Sequence, residues 1–199
     1  MYLTQLLDTI FPPSEDARVV RKLNDTTIHK LFSYQRVDGV IVLSQYSDPN
    51  VRALIHEAKF CNNTHACELL GILFSKYISI VTIPIDVIIP IPLSSKRLRE
   101  RGYNQVLRAL SKVDIPASMH IRTDFITRKR NTRPQTELGR GERLKNMHGA
   151  FSAMHEEHIT GKHLMLIDDV ITTGATLHAA KAALLPHSPS SITCVAFAH

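Results

Sequence analysis

The segment HLMLIDDVITTGATLHAAK, residues 163–181, constrains the fold of this chain more than any other stretch. It begins with a short apolar run, passes through two adjacent carboxylates and enters a turn rich in threonine and glycine. The apolar run predicts a buried strand, and residues 175–185 have the pattern of a helix. The segment therefore predicts a strand, a loop and a helix in direct succession, which is the repeating unit of a parallel α/β sheet.

The loop between that strand and that helix has the chemistry of a phosphate site. Backbone N–H groups at the start of a helix favour an anion, and the helix dipole adds to this preference. Threonine hydroxyls supply further donors, and Gly174 allows the backbone to approach the anion closely. The residues that we expect around a sugar's terminal phosphate are Thr172, Thr173, Gly174, Ala175 and Thr176. An ordinary helix-capping turn is the alternative.

The carboxylates Asp168 and Asp169 would repel a phosphate, but they accept hydrogen bonds and suit two neighbouring sugar hydroxyls. We expect both to face solvent and to hold the hydroxyls of a ribose whose 5-phosphate lies in the adjoining loop. The segment has neither the Gly-Lys-Ser/Thr of a Walker A loop nor the G-x-G-x-x-G turn of a dinucleotide site.

A second anion-binding segment follows the apolar run DVIIPIP, residues 86–92, which predicts a strand buried on both faces. It leads into LSSKRLRERGYNQ, which combines hydroxyls with cations, and arginine can hold phosphate oxygens through two parallel hydrogen bonds. The residues that we predict to bind a pyrophosphate group are Ser94, Ser95, Lys96, Arg97 and Arg101. The alternative is an exposed first turn of a helix with solvated charges.

Residues 128–149 carry many charges and few apolar anchors, which predicts a long mobile loop with a helical piece after Pro134. Such a loop can close over a ligand and bring cations to a departing diphosphate. The cations that we expect to do so are Arg128, Lys129 and Arg130. A solvated hairpin without a role is the alternative.

The rest of the chain alternates between strand and helix patterns. Strands are predicted from residue 37, within 118–127, at 149–153 as a return to the sheet, and at 191–198; helices are predicted at 49–59, 64–80 and 103–113. We therefore predict an α/β fold with an open, mostly parallel sheet and helices on both faces, over residues 37–199. Residues 1–36 are a segment of uncertain structure, in which Leu3, Leu6, Leu7 and Ile10 could form one face of a short helix.

Composition narrows the class of protein. The net charge of +6 favours an anionic partner, either nucleic acid or a polyphosphate ligand. No apolar run is long enough to cross a membrane and the N-terminus lacks a leader pattern, so a cytoplasmic protein is predicted. The three cysteines are expected to be free thiols. Cys61, His65 and Cys67 are the nearest approach to a metal-binding group, but no companion pair is evident and no metal site is predicted.

Four stretches together resemble the ComF family of phosphoribosyltransferase-like proteins. Leu54, Ile55 and Lys59-Phe60 look like its L-I-x-x-x-K-F/Y segment, and PIPLSSKRLRERGYNQ is similar to its P-x-P-x-x-x-x-R-x-R-x-R-G-F/Y-N-Q. Its loop pattern is matched by Arg128, Thr132, Gln135, Leu138, Arg143, Asn146 and Phe151. The fourth stretch, D-D-x-x-T-T-G-x-T, resembles the phosphoribosyl diphosphate (PRPP) signature of type I phosphoribosyltransferases.

The resemblance implies a type I phosphoribosyltransferase fold that binds PRPP with Mg²⁺ and, in competent bacteria, serves DNA uptake together with single-stranded DNA or a competence helicase. Under it, Asp168 and Asp169 hold the ribose and Mg²⁺ is held mostly by ligand oxygens and water. An active salvage phosphoribosyltransferase with an unknown acceptor is the alternative, and no catalytic residue is predicted. Many members carry a four-cysteine zinc ribbon near the N-terminus, and we expect it to be missing or degenerate here because no cysteine precedes Cys61.

Overall fold

A six-stranded sheet forms the centre of the computed structural model, which describes residues 12–129 and 149–199. The strands in chain order are β1 (Gln35–Val37), β2 (Val40–Val42), β3 (Val87–Pro90), β4 (His120–Ile121), β5 (Ile126–Arg128), β6 (Phe151–Ala153), β7 (His163–Val170) and β8 (Ser191–Ala198). Their order across the sheet is β1-β2-β8-β7-β3-β4, while β5 and β6 form a separate antiparallel pair. All neighbours in the large sheet are parallel except β1 and β2.

Two strand predictions require correction. The single strand predicted from residue 37 is in fact the hairpin β1–β2, because Asp38 and Gly39 both take positive φ angles, 48° and 78°, as a tight two-residue hairpin turn requires. The strand at residues 149–153 does not return to the large sheet: β6 pairs with β5 instead. Both errors concern which strand pairs with which.

The seven α-helices described are α1 (Glu15–Lys22), α2 (Asp25–Leu31), α3 (Pro49–Phe60), α4 (Thr64–Ile78), α5 (Ser95–Arg101), α6 (Gln105–Leu110) and α7 (Ala175–Leu184). The first six each begin at a side chain that accepts a backbone N–H of the first turn, and these caps are Ser14, Asn24, Asp48, Asn63, Ser94 and Asn104. Only α7, within the described ranges, begins without a side-chain cap, at Gly174. The residue at which α7 begins therefore supplies no side-chain acceptor of the kind that caps the other six helices.

Alternate residues of the central strand β7 pack on opposite faces of the sheet. Met165 and Ile167 join the apolar cluster that includes residues of α1–α4 and α6, whereas Leu164 and Leu166 join the one formed with α7 and the β5–β6 pair. Helices therefore cover both faces of a mostly parallel sheet, which confirms the predicted α/β architecture.

The segment before residue 37, whose structure the sequence left open, contributes to the first of these cores. Val20 of α1 and Ile28 of α2 are buried there, and Gln35–Val37 forms the edge strand. The helix face predicted from Leu3 to Ile10 lies outside the described residues. No helix among the described residues is long and apolar enough to cross a membrane.

Candidate functional site

The carboxyl ends of β3 and β7 bring the two predicted anion-binding segments to one edge of the sheet. The strands are adjacent and parallel, with Pro90 beside Ile167. The chain leaves β3 towards α5 and leaves β7 towards the loop before α7, so both segments begin at the same edge. Ligands of open parallel α/β sheets bind at this edge.

Asp169 is buried and fully engaged, so the prediction that both carboxylates face solvent is wrong for this residue, which is 8% exposed. Its Oδ1 lies 2.9 Å from Lys59 Nζ of α3 and accepts the Val170 N–H at 2.6 Å. Its Oδ2 accepts a hydrogen bond from the side-chain amide of Gln105 in α6. Strand alternation is the physical reason, because it directs Asp169 to the face that α3 and α6 cover.

The hydrogen bonds continue from Asp169 to α5. Gln105 also accepts a hydrogen bond from the guanidinium of Arg101, which lies 5.2 Å from the centre of the Phe60 ring. Burial lowers the pKa of Arg101, and the nearby charge of Asp169 opposes that change. Lys59, Asp169, Gln105 and Arg101 therefore form one connected group, which we call the Asp169 network.

Asp168 lies on the other side of the strand and is only half-buried. Burial, and after it the negative charge of Asp169, raise the pKa of Asp168 to about 7. Arg128, the last residue of β5, lies above the Phe151 ring at 5.5 Å from its centre, and its charge acts on both Asp168 and Arg97. The carboxyl group of Asp168 therefore has a raised pKa although the cations Lys59 of α3 and Arg128 of β5 lie near it.

The predicted pyrophosphate residues lie in and before α5, which is a helix rather than a loop. Ser94 uses its hydroxyl to cap the helix, accepting the Arg97 N–H at 3.3 Å, while Ser95 is exposed. Lys96 is exposed and 3.8 Å from Glu100, and Arg97 is exposed as well. Arg101 is the last helical residue, before Gly102 at φ 81°. Arg101 is therefore the one of these residues whose charge acts on both Asp168 and Asp169, whereas the charge of Arg97 acts on Arg101 and Arg128.

The predicted phosphate loop follows β7 directly. Thr172 is exposed, Thr173 is half-buried, Ala175 opens α7 and Thr176 lies in its first turn. Gly174 takes φ 66°, and a Cβ there would stand 2.9 Å from His178 Nε2. Only glycine fits this position without strain, and the backbone N–H groups at the start of α7 lie beside it.

The three cations predicted on a mobile loop are only partly described. Arg128 ends strand β5, and the exposed Lys129 donates its backbone N–H to Ala150 O at 2.9 Å. Arg130 and the rest of that segment up to residue 148 lie outside the described residues.

The sequence prediction missed Lys59 and Gln105. Both lie in stretches that carry the resemblance, LIHEAKF and RGYNQ, but they were given no role there. A lysine and a glutamine inside otherwise ordinary helix patterns give no local sign of a distant carboxylate partner. They could have been found from their positions in motifs that resemble those of the ComF family.

The sequence of this chain is similar to a known protein family and to several named proteins. Residues 76–199 match the phosphoribosyl transferase domain family. DNA utilization protein YhgH of Escherichia coli O6:H1 is 29% identical over 164 residues, spanning 77% of this chain and 68% of that protein. Competence protein F of Haemophilus influenzae is 32% identical over 152 residues (71% and 64%), and competence protein ComFC of Bacillus subtilis is 36% identical over 99 residues (50% and 38%).

The chain belongs to the phosphoribosyl transferase domain family, since the match covers more than half of its residues. Within that family the relatives named competence protein F and ComFC confirm the ComF-type resemblance.

Proposed function

We propose that the carboxyl edge of the sheet binds PRPP. The loop before α7 holds the 5-phosphate, Asp168 accepts hydrogen bonds from the ribose hydroxyls, and Arg97 and Arg101 meet the diphosphate. The observation that carries this proposal is the start of α7 at Gly174, which has no side-chain cap and follows shortly after Asp168, whose carboxyl group lies near Arg101 of α5 and Arg128 of β5. An uncapped helix start with nearby cations suits a phosphate that carries several negative charges.

Asp169 has a different part in this proposal from the one that the sequence suggested. Its oxygens are already bonded to Lys59, Gln105 and the Val170 N–H. We propose that Asp169 positions Arg101 through Gln105, and that Asp168 is the carboxylate that reaches the sugar. The ion pair with Lys59 holds the buried carboxylate of Asp169 in a fixed position, from which it can orient Gln105.

Mg²⁺ fits this site as an ion that arrives with the ligand. Among the described residues, no group of three or more histidine, cysteine or acidic side chains converges at the carboxyl edge. Magnesium binds through few protein oxygens and keeps water and phosphate oxygens as its other ligands. When bound, it would neutralise charge on the diphosphate, and the chain's own part is to hold the phosphates and the ribose.

Calorimetric titration with PRPP, with and without Mg²⁺, tests the proposal. At about pH 8, above the raised pKa of Asp168, we expect Asp168→Asn to weaken PRPP binding by at least about tenfold, because a neutral amide is a poorer acceptor than a carboxylate for sugar hydroxyls. The matched control is Asp114→Asn. Asp114 is an exposed acid near the amino end of β3, at the edge of the sheet opposite to the proposed site. Unchanged binding in Asp168→Asn, or no PRPP binding by the unaltered chain, would contradict the proposal.

A second candidate is that the chain is an active phosphoribosyltransferase. A groove of about 830 Å³ adjoins the site, lined among others by Pro90, Leu98, Arg101 and Asn104, and it has room for an acceptor. Turnover would release pyrophosphate when PRPP is mixed with a panel of bases and amines. Absence of release with every acceptor, despite measured PRPP binding, would leave the chain as a binding protein.

We propose a role in DNA use for two reasons: the names of the relatives and the positive charge exposed on α5. Those names concern DNA utilization and competence, and α5 exposes Lys96, Arg97 and Arg99 to solvent. Phosphate contacts predict that affinity for single-stranded DNA falls steeply with salt. A salt titration measures this slope, and undetectable binding at low salt would exclude direct contact and favour a protein partner such as a helicase.

A further inference from the structure

The end of helix α3 gathers side chains that the PRPP proposal does not use. One ring nitrogen of His56, a carboxylate oxygen of Glu57 and the thiol sulfur of Cys61 all lie within 4.8 Å of one another. His56 and Glu57 belong to the last turn of α3, and Cys61 is the residue at which the helix ends. The helical turn therefore places an imidazole, a carboxylate and a thiol side by side.

Glu57 is held in place by two neighbouring helix caps. Its Oε1 accepts from the hydroxyl of Ser14, which caps α1, and its Oε2 accepts from the side-chain amide of Asn63, which caps α4. The lengths of these bonds are 3.1 and 2.9 Å. Carboxylates that bind metals are commonly held by such outer hydrogen bonds, and an oxygen that accepts one bond keeps a lone pair for a metal.

The cluster holds two carboxylates, and its one basic side chain is the imidazole of His56. Asp16 of α1 places its Oδ2 2.9 Å from His56 Nδ1 and so adds a second carboxylate beside Glu57. Within the described part of the chain, neither Glu57 nor Asp16 forms an ion pair with a lysine or an arginine. Glu57 is 2% exposed, and a buried carboxylate compensated only by neutral donors is a place where a cation stabilises the fold.

We propose that His56, Glu57 and Cys61 form a binding site for a zinc-like divalent metal ion, with Asp16 orienting the imidazole. A set of one nitrogen, one sulfur and one oxygen ligand suits Zn²⁺ or Co²⁺, whereas Mg²⁺ and Ca²⁺ prefer oxygen alone. His56 and Cys61 are exposed, so they can close the remaining distance and leave a fourth position to water. The bound ion would tie α1 to the end of α3.

This site differs from the one considered in the sequence, which combined Cys61 with His65 and Cys67. Among the described residues those three side chains do not form a converging group of ligand atoms: Cys67 is completely buried, and His65 Nε2 lies 3.3 Å from the backbone oxygen of Leu23. Helical spacing brings His56 and Glu57 to Cys61 instead, and nothing in the sequence pattern singled out those two residues.

Cobalt titration of the untagged, reduced and metal-stripped full chain tests the proposal. A cysteine thiolate bound to Co²⁺ gives a charge-transfer absorption band, and the whole sequence holds only three cysteines. We expect one Co²⁺ per chain with this band, displaced by Zn²⁺. Cys61→Ser should abolish the band, whereas the control Cys67→Ala, at a buried cysteine, should keep it.

Two further variants sharpen the assignment. His56→Ala should weaken Co²⁺ binding at least tenfold, and Asp16→Asn by roughly 10-fold to 100-fold as an outer partner of a ligand. Circular dichroism confirms that each variant is folded. The proposal is overturned if the unaltered chain shows no thiolate band at saturating Co²⁺ or if the band survives Cys61→Ser, and unchanged affinity in Asp16→Asn removes the orienting role.

Discussion

Asp168 and Asp169 are adjacent in the chain, but their carboxylates occupy different environments on the two faces of the sheet. Asp169 is buried and bonded to Lys59 and Gln105, while Asp168 is half-buried with its pKa raised to about 7. One carboxylate thus completes a structural network, whereas the other lies half-buried at the edge of the sheet, where its Oδ1 accepts the Asp169 N–H at 2.8 Å. Two identical residues in a motif need not share one role.

The largest effect that would test this contrast is on stability. Lys59→Met should lower the free energy of unfolding by about 3–5 kcal/mol, because it leaves the buried charge of Asp169 without its cation. The control Lys96→Met breaks an exposed pair with Glu100 and should cost less than about 1 kcal/mol. Urea unfolding measures both, and equal small losses would show that the Asp169 network is not a structural unit.

The second prediction concerns pH. The pKa of Asp168 is raised from 3.8 to about 7 in the folded chain. Between these two pH values the carboxyl group of Asp168 is protonated in the folded state and ionised in the unfolded state. Stability attributable to this group therefore falls as pH rises from about 4 to about 7, and then stays constant. The total change in the free energy of unfolding that is linked to Asp168 is on the order of a few kcal/mol.

Asp168→Asn should remove this part of the pH dependence and stabilise the chain above about pH 7, since the amide cannot ionise. Urea unfolding at a series of pH values on both chains isolates the contribution, because other titrating groups are common to both. Parallel curves for the two chains would mean that Asp168 is not a carboxylate of raised pKa.

The third prediction separates diphosphate from sugar phosphate. Arg101→Ala should weaken PRPP by about 1.5–3 kcal/mol, the range for a hydrogen bond to a charged group, and should weaken ribose 5-phosphate much less. The matched control is Arg99→Ala, an exposed arginine of the same helix. Calorimetry with both ligands gives the comparison, and equal weakening of the two ligands would remove the diphosphate role of Arg101.

The smallest effect tests the phosphate loop. Gly174→Ala and Gly161→Ala both place a side chain at a positive φ, 66° and 72°, which costs about 1–2 kcal/mol in each case. Only the first brings a Cβ against His178, at 2.9 Å, and only the first lies in the proposed phosphate loop. We therefore expect weaker ribose 5-phosphate binding in Gly174→Ala alone. Equal affinities in the two variants would argue against a phosphate at α7.

Local patterns in the sequence predicted several elements closely. Helix α3 begins after Asp48 at Pro49, and strand β8 covers Ser191–Ala198 as expected, because capping residues and apolar runs act over a few neighbours. The hairpin at Asp38-Gly39 was missed although its turn residues favour one. Strand β6 was assigned to the wrong sheet, since pairing partners depend on residues far away in the chain.

By itself, the sequence determined the succession of strand, loop and helix around residues 163–184 and the family to which the chain belongs, because both are written in short segments with fixed spacing. Only the tertiary structure decided which acid is buried and that Lys59, Gln105 and Arg101 meet at one of them. The physical reason is that strand alternation separates neighbours onto opposite faces, and the helices packed on each face then supply the partners.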